Sequence, residues 1–140
     1  MTPHQLLYAA LMGLAHYVVL GALYGNPLVD RLYKAAQANA PGVRDWRGQT
    51  PRYLALMFAG TMVEALLIAA AAVALRPALT QPGLAGAAQL ALLFTGLRVY
   101  PRLFNMWIQS TYPGHLLAVE AAFGTVGTFL IVLGMERLTT

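Results

Sequence analysis

The sequence predicts an all-α, polytopic membrane protein: a four-transmembrane-helix bundle with a short interfacial amphipathic helix between helices 1 and 2. Hydrophobic residues make up 59% of the 140-residue chain, and charged residues only 10%. Soluble domains carry about 25% charged residues, so lipid must be the solvent for most of this chain. Four apolar segments also approach or reach the length of about 20 helical residues that crosses a bilayer. We therefore expect a single integral membrane domain over residues 1–140.

The first apolar segment covers residues 3–25 and has His16 close to its middle. No Lys or Arg precedes it, and it is longer than the about 7–15 apolar residues of a cleavable signal, so we expect a retained membrane helix. Asn26 and Pro27 follow it. The residue before a proline is pushed out of the helical region, and we expect the helix to end there.

Residues 28–38 differ from the apolar segment before them, because they mix apolar with charged side chains. Leu32 and Tyr33 belong to an apolar face at helical spacing, while Asp30 and Lys34 stand four residues apart, where opposite charges on a helix pair. This pattern is typical of an amphipathic helix that lies in the membrane interface. A solvated helix within a loop is the alternative.

The second apolar segment, residues 53–75, carries Glu64 at its middle. A charged side chain at the bilayer centre costs about 2.5–3.5 kcal/mol even on insertion scales. Glu64 therefore needs a partner, a proton or a function. The third segment covers residues 83–100, and the fourth covers residues 114–135.

The third segment is the shortest of the four. We expect it to continue to residue 100 only because Arg98 can extend its charged end to the interface. Pro101 should then kink or end the helix, since proline has no N–H for the helical hydrogen-bond ladder.

The cationic residues are distributed unevenly over the loops. Two of them, Arg76 and Arg137, lie on one predicted side of the membrane, and seven lie on the other. Because cytoplasmic loops carry the excess of Lys and Arg, both termini are predicted outside the cytoplasm. The net charge of +4 then favours the anionic cytoplasmic leaflet as a partner, and not nucleic acid. The seven are Arg31, Lys34, Arg44, Arg47, Arg52, Arg98 and Arg102.

The candidate polar site combines Glu64 with His16, since two antiparallel neighbouring helices would bring these groups to nearly the same height. A buried acid near an imidazole can hold or pass a proton. The alternative is a neutral Glu64 that only hydrogen-bonds a neighbouring helix. We predict no metal, because a metal site needs three or more ligands, and no cofactor follows from the sequence. His16 and His115 lie at different depths, which argues against a shared haem iron.

Glu120 is the second acid inside an apolar segment. Gly124, Gly127, Ile131 and Gly134 follow it at alternating spacings of four and three residues. Small residues on such a face let another helix approach closely, so we expect Glu120 to face protein. Its candidate partners are Arg98, Tyr100, Tyr24 and His115, of which an ion pair with Arg98 is preferred. The predicted close-packing glycines are Gly124, Gly127 and Gly134 on this stripe, with Gly21 and Gly25 in the first segment.

Two stretches of the chain carry a resemblance to one group of proteins. In that group the first helix ends in a Gly-x-[Leu/Trp]-Tyr-x-x-Pro-like element, which Gly21, Tyr24 and Pro27 match. Leu23 stands where a tryptophan is usual.

A second element, Leu-Phe-x-Ile-Asn-x-x-Tyr-His-like, precedes the last helix of that group. The loose matches here are Asn105, Ile108, Tyr112 and His115, with residues intervening between the last two. The chain thus resembles the family of small bacterial inner-membrane proteins catalogued as domain of unknown function one-seven-six-one. The resemblance implies four helices and an inner-membrane location, and it implies no activity.

The leading functional hypothesis is a small transport or permeation module whose polar interior uses Glu64, His16 and Glu120. Four short helices enclose little volume, so we expect a homo-oligomer. The alternative is an accessory or structural subunit that packs against a larger membrane complex through the glycine face of the last helix. A membrane enzyme ranks third, because the sequence shows no nucleophile with a placed base.

Overall fold

A computed structural model describes residues 1–40 and 49–139 of the chain. The helices are α1 (Pro3–Tyr24), α2 (Pro27–Asn39), α3 (Thr50–Leu75), α4 (Gly83–Gln109) and α5 (Gly114–Thr139), with a short 3₁₀ turn (Arg76–Ala78) after α3. Four of them, α1, α3, α4 and α5, are long and apolar enough to cross a membrane. The predicted all-α class and the four apolar spans are thus confirmed.

Helix α5 lies at the centre of the packing. It contacts α4 and α1 extensively and α3 to a smaller extent, while α1 also packs along α3. Contacts between α3 and α4 are few. These two helices therefore leave a groove between them with α5 as its floor, which we call the α3–α4 groove.

Small side chains dominate the helix contacts. The buried core includes Ala9 of α1, Ala65 and Ala69 of α3, and Ala91 of α4, all fully buried. Alanine and glycine let helix backbones approach closely, which is how helices associate in a bilayer that offers no hydrophobic driving force between them. Large apolar side chains cover the outer surface instead, as with Leu67, which is 66% exposed.

Helices α1 and α5 run antiparallel. Tyr24, at the end of α1, contacts Glu120 near the start of α5, and Met12 lies against Gly134 near the end of α5. The start of α1 and the end of α5 therefore share one end of the bundle, the terminal end. The opposite end, where α2 lies, is the α2 end.

Local hydrogen bonding explains why α1 ends and α2 begins at this point of the chain. Helix α1 ends at Tyr24, and the Asn26 side chain accepts a hydrogen bond of 2.9 Å from the backbone N–H of Leu28. Pro27 occupies the first position of α2, where its fixed φ suits the helix and its missing N–H has no effect. The Asn26–Pro27 pair therefore also begins the next helix.

Helix α4 is longer than its sequence predicts. It passes through Pro101 and ends at Gln109 instead of residue 100. One lost backbone hydrogen bond is tolerated in membrane helices, where neighbouring groups compensate for it. The additional turns carry an outer row of aromatic rings: Tyr100 stacks on Phe104 at a centroid distance of 5.9 Å, and Trp107 follows at 6.2 Å.

Two other spans also exceed their predicted bounds. Helix α3 begins at Thr50 instead of residue 53, and α5 continues to Thr139 instead of residue 135. Arg44 and Arg47, which contribute to the predicted charge asymmetry, lie outside the described residues.

Candidate functional site

An ion pair joins α3 and α4 across the α3–α4 groove. Glu64 and Arg98 form it, and their side chains are 31% and 28% exposed. Arg98 also donates hydrogen bonds to two oxygens of α5, Oγ1 of Thr128 at 2.5 Å and the carbonyl of Gly124 at 3.4 Å. One guanidinium thus connects three of the four spanning helices.

The predicted ion pair of Arg98 with Glu120 is wrong, because the structure pairs Arg98 with Glu64. The reason is the length of α4. If the helix ended at residue 100, Arg98 would lie in its last turn and reach towards the interface. Since α4 continues to Gln109, Arg98 lies near the middle of the helix, at the level of the Glu64 carboxylate.

His16 lies at the contact of α1 with α5 and is completely buried. Gly127 makes room for its ring, since a Cβ atom at that position would overlap with Nε2. Neither ring nitrogen has a hydrogen-bond partner within the described residues. The predicted pairing of His16 with Glu64 is therefore not formed, although His16 is within electrostatic reach of Arg98.

Four polar side chains, one from each of the long apolar helices, lie near the helix middles: His16 on α1, Glu64 on α3, Arg98 on α4 and Thr128 on α5. We call these four residues the central polar cluster. Thr128 is fully buried, and its hydroxyl donates to the carbonyl of Gly124 at 2.8 Å while accepting from Arg98. Thr128 was not predicted as a site residue, because the sequence marks it only as a polar residue within an apolar segment.

Glu120 has a different environment, at the α2 end. Its carboxylate accepts hydrogen bonds from the hydroxyl groups of Tyr24 at 3.0 Å, Tyr33 at 2.5 Å and Tyr112 at 3.5 Å. Arg102 is its cationic neighbour, with Nη2 at 3.9 Å. Tyr24, which is among the partners predicted for Glu120, contacts its carboxylate in the structure. We call Glu120 with its three tyrosines the tyrosine cluster.

The tyrosine cluster holds α2 against the bundle. Tyr33 is on α2, and burial, together with its hydrogen bond to Glu120, raises the pKa of Tyr33 far above the ordinary value. Burial also raises the pKa of Tyr112. Both phenols therefore stay protonated and remain hydrogen-bond donors at physiological pH. Hydrogen bonds to a charged acceptor are about twice as strong as neutral ones. The hydrogen bond from Tyr33 to Glu120 therefore stabilises the packing of α2 against the bundle.

A third ion pair lies at the terminal end of the bundle. Arg76 donates through both terminal nitrogens to the buried carboxylate of Glu136, with Nη2 to Oε1 at 2.8 Å. A cavity of about 510 Å³ beside it is lined by this pair and by the turn between α3 and α4. All three glutamates of the sequence thus have an arginine neighbour, one at each end of the bundle and one in the middle.

The predicted packing glycines divide into two groups. Gly124 lies where a Cβ atom would be 3.1 Å from Val99, and at Gly127 and Gly134 a Cβ would overlap with α1 side chains. Gly21 faces open space instead, and a Cβ at Gly25 would meet only the backbone of its own helix. Sequence reasoning missed Gly13, whose position lies tightly against α3.

Some of the remaining candidates lie apart from these clusters. His115 is exposed in the first turn of α5, and the structure does not bring it to Glu120. Among the residues that the structure describes, no group of three or more His, Asp or Glu side chains could hold a metal ion.

Comparisons with protein-family models, with curated proteins and with solved structures find no match to this chain. What the site can do therefore follows from its geometry and charge.

Proposed function

We propose that this protein is a small transport module of the membrane, with the Glu64–Arg98 ion pair as its working centre. The observation that carries the proposal is the position of that pair, near the middle of two spanning helices and partly exposed in the α3–α4 groove. Well-packed apolar residues stabilise a buried site as well as an ion pair or better, so stability alone does not explain the pair. Ionisable groups at this depth typically mark pathways for ions and protons.

The working form in this proposal is a homo-oligomer. In a single chain, the exposed part of the ion pair would face lipid. Gly60, one turn before Glu64, is exposed, and a Cβ there would meet no neighbouring atom. Small residues on a membrane helix allow a second helix to approach closely. A second copy over the groove would enclose the pair in a pathway between protomers.

The proposal places α2 in the membrane interface on the cytoplasmic side of a bacterial inner membrane, with both termini outside the cytoplasm. On α2, the apolar Leu28 and Leu32 are exposed beside the charged pair Asp30–Lys34, whose atoms are 2.6 Å apart. An exposed apolar flank next to charge is what an interfacial helix presents to a bilayer. The exposed cations at this end, which favour the cytoplasmic leaflet, are Arg31, Lys34, Arg52 and Arg102.

We also propose membership of the family that the sequence resembles. Its support is that the two matching stretches meet in space: Tyr24 from the first and Tyr112 from the second both donate to Glu120. Residues far apart in the chain thus combine in the tyrosine cluster.

Proton flux into proteoliposomes tests the transport role. With a pH-sensitive dye inside and a sodium nitrate medium outside, we expect acidification of the lumen after an acid pulse, and we expect Glu64→Gln to reduce it to the level of protein-free liposomes. Asp30→Asn is the matched control, because it removes a carboxylate from an exposed pair outside the bundle. Unchanged flux in a folded Glu64→Gln protein would refute the role of Glu64.

The mass of the protein in a mild detergent separates the homo-oligomer from an accessory subunit. A homo-oligomer purifies with a mass that is a multiple of 15.1 kDa. Stoichiometric retention of a larger membrane protein would instead favour the accessory role.

A further inference from the structure

The central polar cluster has a charge balance that restricts what it can carry. Within the described residues, Arg98 has one carboxylate partner, Glu64, and the two charges cancel. The other titratable groups nearby are His16 of α1 and, one turn further along α4, Arg102 with its own carboxylate partner Glu120 at 3.9 Å. Helix α5 contributes the Thr128 hydroxyl and the Gly124 carbonyl. A proton on the completely buried ring of His16 would have no hydrogen-bond partner among the described residues and would be repelled by Arg98. A charge that enters this site is therefore offset by a change at Glu64 or Arg98.

The two partners differ in whether they can lose their charge. A carboxylate becomes neutral by taking up a proton, whereas a guanidinium stays charged under all conditions in proteins. A cation that displaced Arg98 from Glu64 would leave a buried guanidinium with no means of neutralisation. An anion that displaced Glu64 from Arg98 would leave a carboxylate, and a proton can neutralise it.

We propose that Arg98 binds a small monovalent anion in place of Glu64, and that Glu64 takes up one proton as the anion binds. The inference rests on the proposed transport function and names its substrate class. In the resting state, Arg98⁺ and Glu64⁻ sum to zero. In the loaded state, Arg98⁺, the anion and the neutral Glu64 again sum to zero. The proton comes from water and binds a carboxylate oxygen, and no other bond changes.

Binding of the anion without a proton would be energetically costly, and this cost favours uptake of the two together. An anion bound without a proton would leave one net negative charge at the centre of the bundle. An uncompensated ion in such a low-dielectric site costs several kcal/mol. A divalent anion would leave the same excess charge, which selects against it.

The donor geometry indicates a planar oxyanion. Nη1 of Arg98 donates to Thr128 and Gly124 of α5, and Nη2 faces Glu64. The parallel N–H groups of Nη2 and Nε remain for the anion, and they match a carboxylate or nitrate group that accepts two hydrogen bonds at once. Arg98 is held in place for this by its bond of 2.5 Å to Thr128, which does not involve Glu64. The guanidinium therefore keeps its position when the carboxylate leaves it.

Transport in proteoliposomes tests the inference, with sodium nitrate and sodium pyruvate as the probes. Nitric acid is a strong acid, and pyruvic acid is almost fully ionised near neutral pH, so little neutral acid crosses the lipid by itself. Luminal pH and labelled anion are measured together. We expect one proton to enter per anion, at a rate that does not change when a potassium gradient with valinomycin imposes a membrane potential.

Glu64→Gln provides the sharpest contrast. With glutamine at this position, only the anion-loaded site is neutral, so net proton uptake should disappear while exchange of labelled for unlabelled pyruvate continues. Glu64→Asp keeps a carboxylate that can be protonated, and it should keep the coupling if Glu64→Gln fails to fold. Exchange together with proton uptake in Glu64→Gln would overturn the inference.

The outcomes separate this inference from the function on which it depends. Proton flux that needs neither nitrate nor pyruvate, or anion uptake whose rate follows the membrane potential, would overturn the coupled-anion inference alone. The absence of any proton or anion flux in the wild-type protein would overturn the transport function as well.

Discussion

Replacement of Arg98 by leucine is expected to destabilise the folded protein by up to about 3–5 kcal/mol, the effect of removing one partner from a fully buried ion pair, since this pair is largely but not completely buried. The variant leaves the Glu64 carboxylate unpaired near the middle of the bundle and also removes the hydrogen bond to Thr128. Unfolding by SDS titration in mild-detergent micelles, followed by circular dichroism, measures the change in the free energy of unfolding.

The double variant Glu64→Leu, Arg98→Leu should recover most of that loss, because it leaves no isolated charge. It should nevertheless transport nothing. Arg102→Leu is the matched control, since Arg102 is 66% exposed and 3.9 Å from its carboxylate, and exposed pairs contribute about 0–1 kcal/mol. A double variant as unstable as the sum of the two single variants would show that Glu64 and Arg98 are not coupled.

Replacement of Gly127 by alanine is expected to destabilise the packing of α1 against α5. The added methyl group would overlap with Nε2 of His16, whose ring is completely buried between α1 and α5. A rigid buried ring cannot move aside, so the two helices must separate. Overpacking of this kind typically costs about 1–3 kcal/mol, and occasionally more. The SDS titration measures this loss too.

Two other glycines provide controls for this prediction. At Gly134 the added methyl would meet the end of the flexible Met12 side chain, which can rotate away, so Gly134→Ala should cost less than Gly127→Ala. At Gly96 a Cβ meets no neighbour, and alanine should stabilise the helix by up to about 1 kcal/mol. Equal stability of Gly127→Ala and Gly96→Ala would contradict the close contact of α1 with α5.

Hydrophobicity and length were sufficient to predict the fold class and the four spans, because a bilayer leaves few alternatives for long apolar segments. The spacing of small residues also indicated correctly that Glu120 faces protein. It lies among three tyrosines, one of them on α2, which no helical spacing within α5 could reveal. Long-range partners of this kind depend on how helices are arranged around the bundle.

The side-chain partners within the central polar cluster also could not be predicted from the sequence. Counting residues gave the depth of His16 and Glu64, but depth does not specify which way a side chain faces. His16 faces α5, while Glu64 faces α4. The partner of Glu64 was missed because Pro101 suggested an early end to the third span. Proline disfavours a helix locally, and here the surrounding helix continues despite it.

Infrared difference spectroscopy of the reconstituted protein, with and without nitrate, tests most directly whether the Glu64–Arg98 pair opens to bind its substrate. We expect nitrate to produce the carbonyl stretch of a protonated carboxylic acid in the wild-type protein, and we expect Glu64→Gln to lack this band. Nitrate binding without the band, or the same band in Glu64→Gln, would contradict the replacement of Glu64 by an anion at Arg98.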